Sequence, residues 1–379
     1  LGRKDILLAG KRIALIADSI PVPEGLGEVT VIEADGKWVV PGFIDCHVHI
    51  IGGGGEGGFH TRTPEIQLSQ LTTCGITTVI GLLGTDATTR HMTSLLAKAR
   101  ALDEEGITTY IMTGSYQIPL STITGNPRDD LIIIDKVIGI GEIAISDHRS
   151  SQPSLDDVKK IVSQARVGGI LSGKSGIVTL HVGNGRRMLE YLNEIATSTE
   201  IPYSQLLPTH INRNARLLES GIEYARAGGQ VDLTTSSSKN EPGGAIKASK
   251  ALKKLLAGGV NPEKVTFSSD GQGSLPRFNQ AGEFVGLDIG SVHSLFSEVR
   301  DAILQEGIDP LVALSTITYN VARIFKLEDK GRIARGSDAD LVLISEEDLQ
   351  ITDVIAGGQL MVASGQPVKT GTFEDAGEV

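Results

Sequence analysis

Asp45-Cys46-His47-Val48-His49 closes a run of apolar and β-branched residues. Alternate residues of a strand share a face, so His47 and His49 point the same way. Two neutral imidazoles converging there suit Zn2+ or a similar borderline cation. A His-x-His alone is more often incidental than metal-binding, but other polar residues punctuate the chain in the same manner. Glu142 lies in a fourth such run and is followed by Asp147-His148-Arg149; His181 lies in a fifth, Thr179-Leu180-His181-Val182. His210 lies in Thr209-His210-Ile211-Asn212-Arg213, and Asp270 in Ser268-Ser269-Asp270-Gly271. Singly, His181 or His210 reads as a hydrogen-bonded core histidine and Asp270 as a turn former. Four histidines and two carboxylates at the ends of five runs read as a metal site.

These residues need a scaffold that brings strand ends together. Eight strand-like runs fall at Val40–Val48, Thr77–Leu83, Thr108–Thr113, Ile140–Ile145, Ile177–Val182, Leu206–Ile211, Gln230–Thr235 and Val265–Ser269. Helical patterns separate them; Leu155, Val158, Ile161, Val162 and Ala165, for example, share one helical face. Alternation of this kind predicts an α/β chain folded as a (β/α)8 TIM barrel over residues 40–330, whose chemistry sits at the C-terminal strand ends. Residues 1–39 and 331–379 carry short strand signals such as Val29–Glu33 and Gln359–Ala363 broken by glycines, and neither end makes a fold alone. They are expected to pair into one small β-sandwich domain.

The 379 residues carry a net charge of −11, which repels phosphate backbones and anionic lipid. No nucleic-acid partner and no membrane are expected. The opening LGRKDILLAG does not read as a signal peptide, and the two cysteines, Cys46 and Cys74, make no disulfide framework. A reducing cytoplasm is the expected location. Gly168-Gly169-Ile170-Leu171-Ser172-Gly173-Lys174-Ser175 satisfies the phosphate-loop pattern. That loop needs a strand before it and a helix after it, whereas here a helical pattern precedes and a strand follows, so it reads as a helix-to-strand connection.

Pro41-Gly42-Phe43-Ile44-Asp45-Cys46-His47-Val48-His49 resembles the opening motif of the amidohydrolase superfamily, and Gly336-Ser337-Asp338-Ala339-Asp340-Leu341-Val342 resembles its return to the small domain. Four stretches are more specific: Ile51–Glu56, Ala144–Arg149, Leu207–Asn214 and Ser268–Gly271. Together they resemble the isoaspartyl dipeptidases (β-aspartyl peptidases) along nearly the whole chain. The resemblance implies two zinc ions, one held by His47, His49 and Asp270 and the other by His181 and His210. Glu56 would bind the substrate's α-ammonium, Arg149 and Arg213 the leaving group's carboxylate, and Tyr116 would polarise the scissile carbonyl. Gly54, Thr85 and Ser274 match further substrate contacts. Members of that family bridge the metals with a carboxylated lysine where this chain has Glu142. Glutamate also brings a carboxylate, on a stem about 3–4 Å shorter, so a single-metal centre is the alternative to two.

The resemblance implies hydrolysis of small β-aspartyl dipeptides by a metal-activated hydroxide, with Asp270 as general base, in a homo-oligomer. A cyclic amidase of the dihydroorotase or hydantoinase type and an N-acyl-amino-acid deacylase would share His47, His49 and Asp270. Glu56 and the two arginines separate them, because a substrate with a free amine and a free carboxylate needs both. A non-catalytic barrel scaffold would be expected to lack metal ligands, whereas this set is complete but for the substitution at Glu142.

Overall fold

The computed structural model describes residues 2–22, 25, 27, 29–236, 244–281 and 283–374; parts of both terminal segments expected in the small domain lie outside these. Eight parallel strands form the barrel: Phe43–Val48, Ile76–Gly81, Thr108–Thr113, Val137–Ile145, Ile177–Val182, Leu206–Thr209, Val231–Thr234 and Val265–Ser268. The first six pair in chain order as one curled sheet, and the last two pair with each other. Each of the first six strands (through Ile44 and Cys46, Ile80, Met112, Ile138, Ile177 and Leu207) contributes to a single buried cluster with Val321 and Phe325. Six neighbouring strands can share one cluster on one face only if the sheet curls around it.

Two seams complete the ring. Between the sixth and seventh strands, the Asn212 side chain stands in for a backbone: its Nδ2 donates to Thr234 O at 2.9 Å and its Oδ1 accepts from Thr234 N at 2.9 Å. Between the eighth and first, Val48 bridges Gly271 and His49 N donates to Gly271 O. The helices lie outside. The longest, Leu155–Ser172, begins at a capping box in which Ser154 Oγ accepts from Asp157 N, and it buries Val158, Ile161, Val162 and Ala165. It runs through Gly168–Ser172 and ends on left-handed Gly173. Lys174 and Ser175 then donate to backbone carbonyls of 131, 134 and 138, so the phosphate-loop look-alike is structural.

Beside the barrel, Lys37–Pro41, Leu341–Ser345, Ile351–Ala356, Gln359–Ala363 and Gln366–Pro367 make an antiparallel sheet. Asp5–Ala9 and Arg12–Ala17 make a two-stranded ribbon packed on it through Ile13, Leu341 and Ile355. The expected run Val40–Val48 is therefore two strands. Val40 and Pro41 extend the small sheet, and Gly42 turns the chain into the barrel where an added Cβ would meet Thr77 Oγ1 at 2.1 Å. Val29–Glu33 forms no strand, because Lys37–Pro41 takes the open edge of Leu341–Ser345 instead. A hairpin after the eighth strand, Ser274–Phe278 with Phe284–Ile289, goes beyond the expected grammar.

Candidate metal centre and active site

His47, His49, Glu142, His181, His210 and Asp270 converge at the C-terminal mouth of the barrel. Pairing between the first two strands slips between Asp45 and Val48, the segment that carries His47. Such breaks re-aim side chains and recur beside active sites. Glu142 reaches inward from the fourth strand, where Gly141 has no Cβ to strike Thr179 Oγ1, which would lie 1.8 Å away. His210 follows the sixth strand in the left-handed region at φ 63°, and Asp270 follows the eighth at φ 54°. Both conformations are uncommon outside glycine and cluster at functional sites. The expected run Leu206–Ile211 stops at Thr209 for this reason.

Glu142 is the hub. Its Oε2 lies 3.3 Å from His47 Nε2, 3.5 Å from His181 Nδ1 and 3.7 Å from His210 Nε2, and its Oε1 lies 3.7 Å from His49 Nε2. Asp270 Oδ1 is 3.1 Å from His49 Nε2 and 3.6 Å from His47 Nε2. Two overlapping donor sets result, His47–His49–Glu142 and Glu142–His181–His210, all buried. Within them His47 Nε2, His49 Nδ1 and both Glu142 oxygens lack a hydrogen-bond partner. Orphaned polar atoms are costly in an interior. Imidazole and carboxylate donors facing one another at these separations fit divalent cations, which would satisfy several of them together.

The charges agree. Burial pushes the Glu142 carboxyl up, yet the facing His47, His181 and His210 hold it well below the usual carboxylate range. Burial pulls His47 down, yet Glu142 and Asp270 carry it up to about 9. Burial together with His181 drops His210 to about 3, leaving it neutral and free to ligate. Asp270 lies below the carboxylate range, because His49, His210 and His47 outweigh its burial. Burial holds the Tyr116 phenol well above its ordinary value, so it remains a donor; its hydroxyl is 2.7 Å from His181 Nδ1.

A cleft of about 1140 Å3 opens over this cluster. Gly54, Glu56, Thr85, Tyr116, Arg149, Arg213 and Ser274 line it with His49, His181, His210 and Asp270, so the cleft gathers every expected substrate contact. His47 and Glu142 are buried at 2% and 1% exposure. Glu56 Oε1 accepts from Thr85 Oγ1 at 3.0 Å and faces Arg149 Nη1 at 3.5 Å; its Oε2 accepts from Ser274 Oγ at 3.0 Å. Arg213 Nε donates to Val182 O at 3.2 Å.

Two residues at this site were given no role by sequence. Asp147 clamps Arg149 and touches His181. It stands in the same short stretch as Arg149, and that proximity was the available signal. Arg90, 8% exposed, donates to the carbonyls of Ile51, Gly53 and Thr63 and so fastens the glycine-rich loop that carries Glu56. Nothing in its local sequence distinguishes it.

Known proteins match this architecture. A β-aspartyl dipeptidase from the thermophilic keratin degrader Fervidobacterium islandicum AW-1, solved with a β-Asp-Leu dipeptide, is 45% identical, with a TM-score of 0.88 over 97% of this chain and 94% of that one. A second structure of β-aspartyl dipeptidase from that organism is 43% identical with a TM-score of 0.87, covering 96% of this chain and 94% of the other. An adenine deaminase of Bacillus licheniformis is 26% identical over 361 residues, 92% of this chain and 54% of its own length. The chain thus spans about half the length of that curated relative. The Amidohydrolase family matches residues 38–361. With its histidines and Glu142 gathered at the mouth of the barrel, the chain belongs to the amidohydrolase family.

Proposed function

We propose that this hydrolase cleaves β-aspartyl (isoaspartyl) dipeptides at a two-zinc centre held by His47, His49, His181, His210 and Asp270, with Glu142 between the histidine pairs. When bound, such cations supply Lewis acidity and a water whose pKa is near neutral. Asp270, anionic and on the cleft wall, takes the proton of the attacking water and returns it to the departing amine. Tyr116, held protonated by its burial, donates a hydrogen bond to the scissile carbonyl as negative charge develops there.

The observation that carries the substrate assignment is the pairing of opposite charges across one cleft. Glu56, oriented by Thr85 and Ser274, meets the α-ammonium. Arg149 and Arg213 meet the leaving residue's carboxylate with forked, charge-assisted hydrogen bonds, and Gly54 brings backbone close to the bound molecule. An isoaspartyl bond leaves both the amine and the second residue's carboxylate free; a cyclic amide such as dihydroorotate or hydantoin has no free amine to meet Glu56. The neighbour at 45% identity, solved with β-Asp-Leu, supports the same reading. Both cysteines are free and buried, which fits a reducing compartment such as the cytoplasm. The apolar residues Val167, Ile170 and Leu171, exposed on one helix, fit a homo-oligomer. The test is hydrolysis of β-Asp-Leu against α-Asp-Leu by zinc-loaded protein. Rapid release of leucine from the first and slow release from the second is expected; equal rates, or a preference for dihydroorotate or hydantoin, would overturn the assignment.

A further inference from the structure

Asp147 joins two machineries that the proposed function treats separately. It follows the fourth barrel strand and its side chain is 5% exposed. Oδ2 lies 2.9 Å from His181 Nε2. The same carboxylate holds Arg149 by two parallel contacts, Nε to Oδ1 at 3.0 Å and Nη2 to Oδ2 at 2.9 Å. The loop is built to bring it there. Arg149 N donates to Oδ1 at 2.8 Å, and Ser150 Oγ and Gln152 Nε2 both donate to Asp147 O. Gly183, just past the fifth strand, leaves room, since an added Cβ would stand 2.6 Å from Asp147 Cβ.

Two consequences follow from hydrogen-bond chemistry. A carboxylate at His181 Nε2 favours the ring proton on that nitrogen, against Arg149 Nη2 at 3.1 Å from it, and leaves the lone pair on Nδ1, which accepts from the Tyr116 hydroxyl at 2.7 Å and faces Glu142 Oε2 at 3.5 Å. A guanidinium presents two forked edges. Asp147 occupies the Nε/Nη2 edge of Arg149 and leaves Nη1 turned toward Glu56, into the cleft.

We infer that Asp147 is a positioning residue that orients His181 toward the metal and Arg149 toward the substrate's carboxylate, so that one carboxylate couples metal seating to recognition of the leaving group. The substrate half of this inference rests on the dipeptidase reading; the metal half does not.

The experiment compares wild type with Asp147→Asn and Asp147→Ala, each first shown by circular dichroism to melt as a folded chain. Competition with a chromophoric chelator reads zinc affinity. We expect the weaker-binding of two zinc equivalents to lose about 10–100-fold. At saturating zinc, kcat/KM is then measured for β-Asp-Leu and for its leucinamide, which lacks the carboxylate that Arg149 would grip. The wild-type preference for the free acid should shrink by about tenfold or more in both variants, mostly through KM. General damage to the barrel would slow both substrates alike and leave their ratio unchanged, which overturns the coupling. Unchanged zinc affinity overturns the His181 half. If either variant fails to fold, Asp147→Glu replaces it and is judged by the same two readouts. Failure of wild-type enzyme to cleave β-Asp-Leu would count against the dipeptidase reading alone, because the zinc titration still judges the contact with His181.

Discussion

His49 Nε2 stands 3.1 Å from Asp270 Oδ1, and this contact spans the seam where the eighth barrel strand meets the first. The residues are 221 positions apart, so only ring closure brings them together. The same closure sets Asp270 3.6 Å from His47 Nε2 and makes the eighth strand a wall of the candidate metal site.

The donor geometry centres on Glu142, and protein purified without chelator should contain close to two divalent metals per chain by elemental analysis. Glu142→Ala should retain the barrel but bind at most one. A wild-type stoichiometry of one would mean that Glu142 serves a single cation, and none would remove the site.

Asp270→Asn should keep most of the metal and the fold while lowering kcat by about 10²–10⁴-fold, the usual scale for general acid–base help. Steady-state kinetics on β-Asp-Leu at saturating metal tests this. A near-wild-type kcat would require the proton to travel by another group.

Arg213→Ala should lower kcat/KM for β-Asp-Leu by about 30-fold or more, since an unpaired buried charge costs on the order of 2–5 kcal/mol. Metal content should not change, because Arg213 touches Val182 O rather than a ligand. Loss of metal in this variant would reassign Arg213 to the scaffold.

Metal binding should tighten with pH. In the metal-free protein Glu142 and Asp270 overcome burial and carry His47 up to about 9, so below that pH a cation must displace its proton. A raised histidine stabilises the metal-free fold fully below the unfolded value of about 6.5, and that contribution is lost as pH rises through about 9. The two statements describe one proton linkage, and it favours the metal complex at higher pH. Chelator competition at pH 7, 8 and 9 should show affinity rising by up to about tenfold per unit; a flat profile would contradict the charge state assigned to His47.

Gly84→Ala should weaken metal binding without unfolding the chain. Its new Cβ would stand 2.8 Å from His49 Cε1 and 3.4 Å from Glu142 Oε1, pressing on two ligands together. Elemental analysis after dialysis reads the loss, and a melting temperature within a few degrees of wild type separates it from general damage.

The sequence by itself determined the eight strand–helix units and the residue types at their ends, because periodicity and glycine punctuation are local and the barrel obeys them. The placement of Glu142, His181 and Asp270 in or just after barrel strands was legible for that reason, as was the helix-to-strand character of Gly168–Ser175. Tertiary structure decided the rest. The break after Pro41 depends on Lys37–Pro41 pairing with residues 300 or more positions away. His210 turns inward through a left-handed backbone that the apolar run before it does not announce. Asp147 is one polar residue among several in its loop until the fifth strand sets His181 against it, and Arg90 acquires its task only from three carbonyls of a loop folded around it. Strand ends follow from short-range pattern; which atoms meet there follows from closing the ring and from burial, which forces each polar group to find a partner or a metal.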